Sequence, residues 1–306
     1  MQLDIYKQRD QHKIAFVLCN MGIGDMLVTV GIREYLSTKY DTVIMLCREE
    51  FLPYLYRFHE GNDKIKHYVY QKSFMAKFGW SFPKEIVDEF AKLADIYALG
   101  HYSPSGKMET FPVSFYDDCC VDFKYIKSFV NIIPYDEKQL TASVKGIIIP
   151  KHIMQQYKDL FDNHKSYIVV HQEGSTCNLD FVKKCAIDIN DILVIDLNKN
   201  LYTREHPWYN IAEKFINFDN PMWYKPLLEN ATGLCLVDSC IHALAYLIDI
   251  SNVKQPICYY RASTCDYVDA GFKYIHLVEG YDINKKIHFS YPDGDKINPF
   301  WTIGTK

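Results

Sequence analysis

No apolar run in this 306-residue chain approaches the roughly 20 residues that a membrane-spanning helix needs. The opening stretch, MQLDIYKQRDQHK, is polar and charged, so it reads as neither a signal peptide nor an anchor. A basic excess is missing too: 34 Lys and Arg stand against 38 Asp and Glu, a formal charge of −4, which argues against nucleic acid as a partner. The ten cysteines contain no CxxC pair and no Cys/His set with zinc spacing. They read as reduced, mostly buried thiols, and cytoplasmic residence is the expectation. There is no identical repeat and no low-complexity tract. With 48% hydrophobic residues the chain has material for sizeable cores, and its length suits two domains of about 150 residues each.

What is present organises itself around Lys13 to Leu36, KIAFVLCNMGIGDMLVTVGIREYL. Lys13 to Cys19 has the short apolar, partly β-branched pattern of a strand buried on both faces, and Asn20 to Gly24 has the composition of a tight turn. Asp25 is then expected to open a helix, its carboxylate accepting from orphan N–H groups at the positive end of the helix dipole. A loop at the carboxyl end of a parallel strand is where open α/β sheets collect ligands.

Strand and helix patterns alternate from there, as a parallel sheet requires. Strands are expected at Thr42 to Cys47 and Ile96 to Leu99, and helices at Glu50 to Phe58, Lys84 to Leu93 and Tyr116 to Val130. Asn131 to Ala142, polar and carrying Pro134, reads as a linker. The alternation restarts with strands at Lys145 to Ile149, Ser166 to His171, Ile192 to Leu197, Leu234 to Val237 and Gln255 to Tyr260. Helices are expected at His152 to Phe161, Trp223 to Glu229 and Ala243 to Ile248. From Lys285 the periodicity fades, and Phe289, Tyr291, Phe300 and Trp301 suggest a tail packed onto the body.

Three strand-end loops carry candidate chemistry. At Gly22-Ile23-Gly24-Asp25 the glycines would let a substrate approach the backbone and Asp25 could accept a proton; a plain turn and helix cap fits the same residues. A dinucleotide fingerprint would want a third glycine where Leu27 stands, with Glu49 or Glu50 as the ribose contact, so an NAD(P)-type oxidoreductase is the alternative. At Asp238-Ser239-Cys240-Ile241-His242 a helix start offers N–H groups to a phosphate, and His242 can add a donor or a charge. At His171-Gln172-Glu173-Gly174-Ser175-Thr176 the glycine and hydroxyls suit a diphosphate or sugar. Asp293-Gly294-Asp295 has a metal-like spacing, but turn chemistry explains it, and Asp117-Asp118 reads as a helix-start acid pair.

These residues in this order resemble the heptosyltransferase-like glycosyltransferases of family nine. The Gly-Asp loop followed by Ile32 and Arg33 looks like that family's opening signature, HQEGS like its first C-domain loop, and VDSCIHALAYL like its donor segment. The resemblance implies an α/β GT-B-like fold, two Rossmann-like domains with parallel sheets facing across a cleft. It also implies an acceptor-side domain at 1–141 and a donor nucleotide-sugar domain with a C-terminal tail at 142–306.

The implied activity is an inverting, metal-independent transfer from a nucleoside diphosphate sugar to the hydroxyl of a glycan or other acceptor. No cofactor is implied. Asp25 would be the base, with Gly22 and Gly24 beside it. Glu173, Gly174, Ser175, Thr176, Asp238, Ser239, Cys240, His242 and Arg261 would surround the donor. A non-catalytic sugar-binding protein of the same layout is a further alternative. Three positions depart from the pattern. Gly31 stands near the family's proline, no basic residue lies in EGSTCN (Lys183, Lys184 or Arg261 could substitute), and Cys240 replaces a glycine with one residue fewer before the histidine.

Overall fold

The computed structural model describes residues 12–19, 22–70, 84–99, 112–135, 145–174, 178–184, 187–237, 239–250, 253, 257–260 and 287–290, with the backbone alone at 70, 84–86, 113–114, 184, 257–260 and 287–290. The fold is mixed α/β with parallel sheets, and the chain divides into two compact units. One comprises Met1–Asn131 with Ser143–Ile147, the other Ile132–Ala142 with Ile148–Lys306. Of the expected linker, Asn131 falls in the first unit and Ile132–Ala142 in the second, and Ile132–Pro134 is a strand.

In the first unit β1 (Ile14–Leu18) lies between β2 (Thr42–Arg48) and β4 (Asp95–Ala98), with β3 (Ile65–Tyr70) beyond β2, all parallel. Helix α3 (Leu52–Phe58) follows β2; alternate residues of β1 and β2, Phe16, Leu18, Ile44 and Leu46, form one apolar face, and Val87 and Phe90 of α4 (Lys84–Ala91) pack on it. The rings of Phe16 and Phe90 stack at 3.9 Å. Strand β3 has no counterpart in the sequence reading. Its run IKHYVY mixes polar and aromatic residues and leaves Tyr68 and Val69 exposed at the sheet edge, so it lacks the apolar signature of its neighbours.

The single helix expected after Asp25 is two: α1 (Ile23–Val28) and α2 (Val30–Ser37), broken at Thr29. Side chains serve the carbonyls the break exposes. Thr29 Oγ1 donates to Met26 O at 2.9 Å, the Tyr116 hydroxyl to Val28 O at 2.8 Å, and the Arg33 guanidinium to the carbonyls of Met26 and Thr29. Arg33 is fully buried, and burial lowers its pKa to about 10, which leaves it charged at neutral pH at the negative end of α1.

Gly31 is where α2 meets the short 3₁₀ turn Phe123–Ile126: a Cβ there would lie 2.2 Å from the Tyr125 carbonyl oxygen and 2.6 Å from the Tyr116 hydroxyl. Its role is close approach. The expected helix Tyr116 to Val130 is also corrected, because α5 (Val113–Asp118) ends where Cys120 takes a left-handed φ of 52° and the Val121 N–H returns to Tyr116 O. Asp117 and Asp118 accordingly close a helix rather than start one.

Beside Arg33, Glu34 is buried and held by three partners: His59 Nδ1 at 2.8 Å, Lys145 Nζ at 2.6 Å and Asn62 Nδ2 at 3.0 Å. Burial opposes its charge, but the bonds from His59, Lys145 and Asn62 outweigh that and lower its pKa to about 2. His59 is pushed down to about 4 by burial and then by the Arg33 charge, and His67 to about 3 by the same causes, so both rings are neutral at pH 7. The Lys145 contact and the bond from Gly146 N–H to Arg57 O tie the returning segment onto this unit.

Strand β5 (Ile132–Pro134) pairs with β6 (Ile147–Ile149), and α6 (Lys151–Asn163) follows in the second unit. The main sheet runs β11-β10-β9-β7-β8, again all parallel, from β7 (Tyr167–His171), β8 (Leu193–Asp196), β9 (Gly233–Val237), β10 (Ile257–Tyr260) and β11 (Ile287–Ser290). Ile168, Val170, Val194, Cys235 and Val237 line one face, over which Phe181 and Ile187 close. The fading periodicity after Lys285 hides β11, an edge strand beside β10.

Two outcomes test this packing. Gly31→Ala should lower stability by about 1 to 3 kcal/mol, the usual cost of overpacking, read as a lower urea midpoint at unchanged slope. The folded pKa values of His59 and His67 are depressed, so their contribution is complete above about pH 6.5 and fades as pH falls toward 4 and 3. That of Glu34 is present above 4.5 and fades toward 2. Urea midpoints should therefore fall continuously from pH 7 to pH 4, and His59→Gln, which keeps a donor for Glu34, should shrink the fall between pH 7 and 5.

Candidate functional site

Among the described residues, each of the two larger sheets has one point where strand order reverses. In the first it lies between β1 and β4, because β1, β2 and β3 proceed to one side and β4 returns to the other; in the second it lies between β7 and β9. Loops at the carboxyl ends flanking such a point border a crevice, which is where doubly wound sheets bind ligands. Gly22 to Asp25 follow β1, His171 to Gly174 end and follow β7, and Ser239 to His242 follow β9.

In the first unit Gly22 is the N-cap of α1, with an extended φ of −121° that any residue can adopt, and Gly24 is the second helical residue. Asp25 is not the cap that the sequence suggested. It is the third residue of the helix, and its Oδ2 reaches back to accept the Gly22 N–H at 2.7 Å, the reciprocal half of a capping box. The carboxylate is thereby held, half-buried, over the positive end of α1. Leu27, at the place of the third glycine in a dinucleotide fingerprint, is fully buried.

In the second unit the short strands deliver polar side chains at their last positions. Ser239 is the N-cap of α10 (Cys240–Leu247): its Oγ accepts the His242 N–H at 3.4 Å and lies 3.0 Å from His171 Nδ1. Burial pushes His171 down to about 4, so its ring is neutral. Cys240 is the first helical residue, its thiol pushed up to about 11 by burial, and the buried His242 ring stands edge-on to Tyr246 at 4.9 Å.

Gln172, one residue past β7, is almost fully buried and bonded on both sides: its Nε2 donates to Asp196 Oδ2 at 2.7 Å, and its Oε1 accepts the Phe181 N–H at 2.7 Å at the start of α7 (Phe181–Lys184). Burial raises Asp196 to about 6, against bonds from Asn198 and Gln172 that favour its charge. Glu173 is exposed, bridges to Asn178 across the loop, and pairs with Lys199 at 3.0 Å. Gly174 is half-buried beside it. Lys183 is exposed on α7.

The structure thus brings Ser239, Cys240 and His242 to the same sheet end as Glu173 and Gly174, and keeps Gly22, Gly24 and Asp25 together at the end of β1. Ser175, Thr176, Asp238, Arg261 and Asp293 to Asp295 lie outside the described residues. Two of the residues here were named from sequence only within a motif, and two were not named. His171 and Gln172 read only as part of a loop motif, and Asp196 and Lys199 carry no local pattern. The one available signal was their position at or just past a strong strand's carboxyl end. Among the described residues no group of His, Cys, Asp and Glu is placed to hold a metal, and no helix is long and apolar enough to cross a membrane.

No family model matches the chain, and no curated protein matches it. Among solved structures it is similar to the iron-containing dodecameric glycosyltransferase TibC from enterotoxigenic E. coli H10407, at 12% identity and a TM-score of 0.43 over 81% of this chain and 58% of that one. A TibC structure in complex with ADP-D-beta-D-heptose matches at 12% and 0.44, over 84% and 60%. The chain therefore spans less than two thirds of the length of these two. The E. coli heptosyltransferase WaaC with ADP-2-deoxy-2-fluoro heptose matches at 10% identity and 0.40, over 90% of this chain and 92% of that chain.

The double engagement of Gln172 makes a direct test. Gln172→Ala leaves the Phe181 N–H and a buried Asp196 oxygen without their partner, so it should cost about 2 to 6 kcal/mol in urea denaturation, from roughly 1 to 3 kcal/mol per stranded group.

Proposed function

We propose that the chain is an inverting glycosyltransferase of GT-B type, active in the cytoplasm, that moves a sugar from a nucleoside diphosphate sugar to an acceptor hydroxyl without a metal. One observation carries the reading: the candidate residues stand at the strand-order reversal points of both sheets, Asp25 after β1 and Ser239 to His242 after β9 beside His171. The likeness of the Gly-Asp, HQEGS and VDSCIH segments to family-nine motifs supports the same roles. The first unit would take the acceptor and the second the donor.

In this reading the acceptor hydroxyl comes within hydrogen-bond reach of the Asp25 carboxylate, which takes its proton as the oxygen attacks the anomeric carbon. The bond from that carbon to the diphosphate oxygen breaks at the same time, so one displacement inverts the configuration. The Gly22 N–H holds Asp25 in position. The departing diphosphate moves toward N–H groups at the start of α10, where His242 and a lysine near the β7 loop can share its charge.

Asp25→Asn separates a structural from a chemical role. Asn retains an oxygen for the Gly22 N–H and should change the melting temperature little, yet it accepts no proton, and loss of a general base costs about 10²- to 10⁴-fold in rate. Transfer rate, donor dissociation constant and melting temperature are measured together. The expected result is a lost rate with the other two nearly unchanged; a folded variant transferring at the wild-type rate would refute the assignment of Asp25 as base.

A further inference from the structure

The hydrogen bond between Ser239 Oγ and His171 Nδ1 crosses the reversal point of the second sheet. His171 is the last residue of β7 and stands level with Leu236 of β9, and Ser239 lies three residues further along. The two strands carry the two loops that the proposed function assigns to the donor. The bond between them is sheltered, since His171 is only 9% exposed.

Either atom can donate, because a hydroxyl gives one hydrogen and accepts at two lone pairs, and a neutral imidazole carries its proton on one nitrogen or the other. The Ser239 oxygen also accepts the His242 N–H, so the one hydroxyl joins the first turn of α10 to the end of β7. The start of α10 is thereby fixed against the end of β7 before any ligand arrives. Preorganisation of this kind strengthens binding because the loop need not be ordered on association.

We propose that His171 is a positioning residue of the donor site, acting through Ser239 to hold the loop after β9 in register with the loop after β7 so that a nucleoside diphosphate meets a single preformed surface. This rests on the proposed function. His171 does not touch the reacting atoms. Its contribution is the geometry of α10's first turn, and it should be carried entirely by the one bond to Ser239.

The test is a double-mutant cycle on the full chain, read as the dissociation constants of ADP, GDP and UDP by titration calorimetry, with melting temperatures alongside. His171→Leu removes the imidazole at similar volume, and Ser239→Ala removes the hydroxyl. Each should weaken the tightest-binding nucleotide about tenfold, in the range of one lost hydrogen bond, and the double variant should be no weaker than either single one. His171→Asn places an amide, able to donate or accept, near the position of Nδ1 and should restore affinity to within about threefold of wild type.

Additive losses in the cycle would overturn the proposal, because His171 would then act on the ligand by a route of its own. So would unchanged affinity in His171→Leu, or an Asn variant as weak as the Leu variant at equal melting temperature. Should the wild type bind none of the three nucleotides, the proposed function falls and this inference with it; the other outcomes remove the inference alone.

Discussion

Parallel strands buried along nearly their whole length leave polar side chains few places to stand. Ala15 to Leu18 of β1, and every residue of β7 and β9, are shut away from water, so a charge or hydroxyl in mid-strand would be stranded without partners. Polar groups therefore gather where the strands stop and the helices begin. There the backbone itself supplies partners: the Gly22 N–H for Asp25, the Phe181 N–H for Gln172, the His242 N–H for Ser239. The same geometry that satisfies these groups makes the strand ends the chemically equipped edge of each sheet.

How much of this was legible depended on where the information lies. The strands Ile14–Leu18, Thr42–Arg48 and Tyr167–His171 announce themselves as apolar β-branched runs, and the alternation with helical spacing carries the parallel topology. Strand β3 does not, because it runs at the sheet edge with Tyr68 and Val69 exposed and needs no apolar run. The break at Thr29 is invisible as well, since it is stabilised by Arg33 four residues on and by Tyr116 from a distant segment.

The candidate site shows the same division. Asp25, Ser239, Cys240 and His242 sit in short motifs whose order along the chain can be read directly. The pairings that hold the site do not: Gln172 with Asp196 and His171 with Ser239 join residues far apart in sequence, brought together only by which strands are neighbours. Even Asp25, expected as the cap, stands three positions past it, because a capping box and a simple cap share the same residue types.

Lys145 gives the first unit an order of completion. Every partner of β1 is non-local, with Ala15 level with Val43 on one side and Asp95 on the other, so the central strand must wait for later chain to pair. Glu34 waits longer still, for its third partner comes from the Ser143–Ile147 segment, after the chain has already contributed Ile132–Ala142 to the other unit. On a ribosome releasing residues from the N-terminus, the first unit can collapse early but cannot neutralise its buried carboxylate fully until the second has begun to emerge. Each unit is compact by itself, yet the assembly of the two overlaps in time.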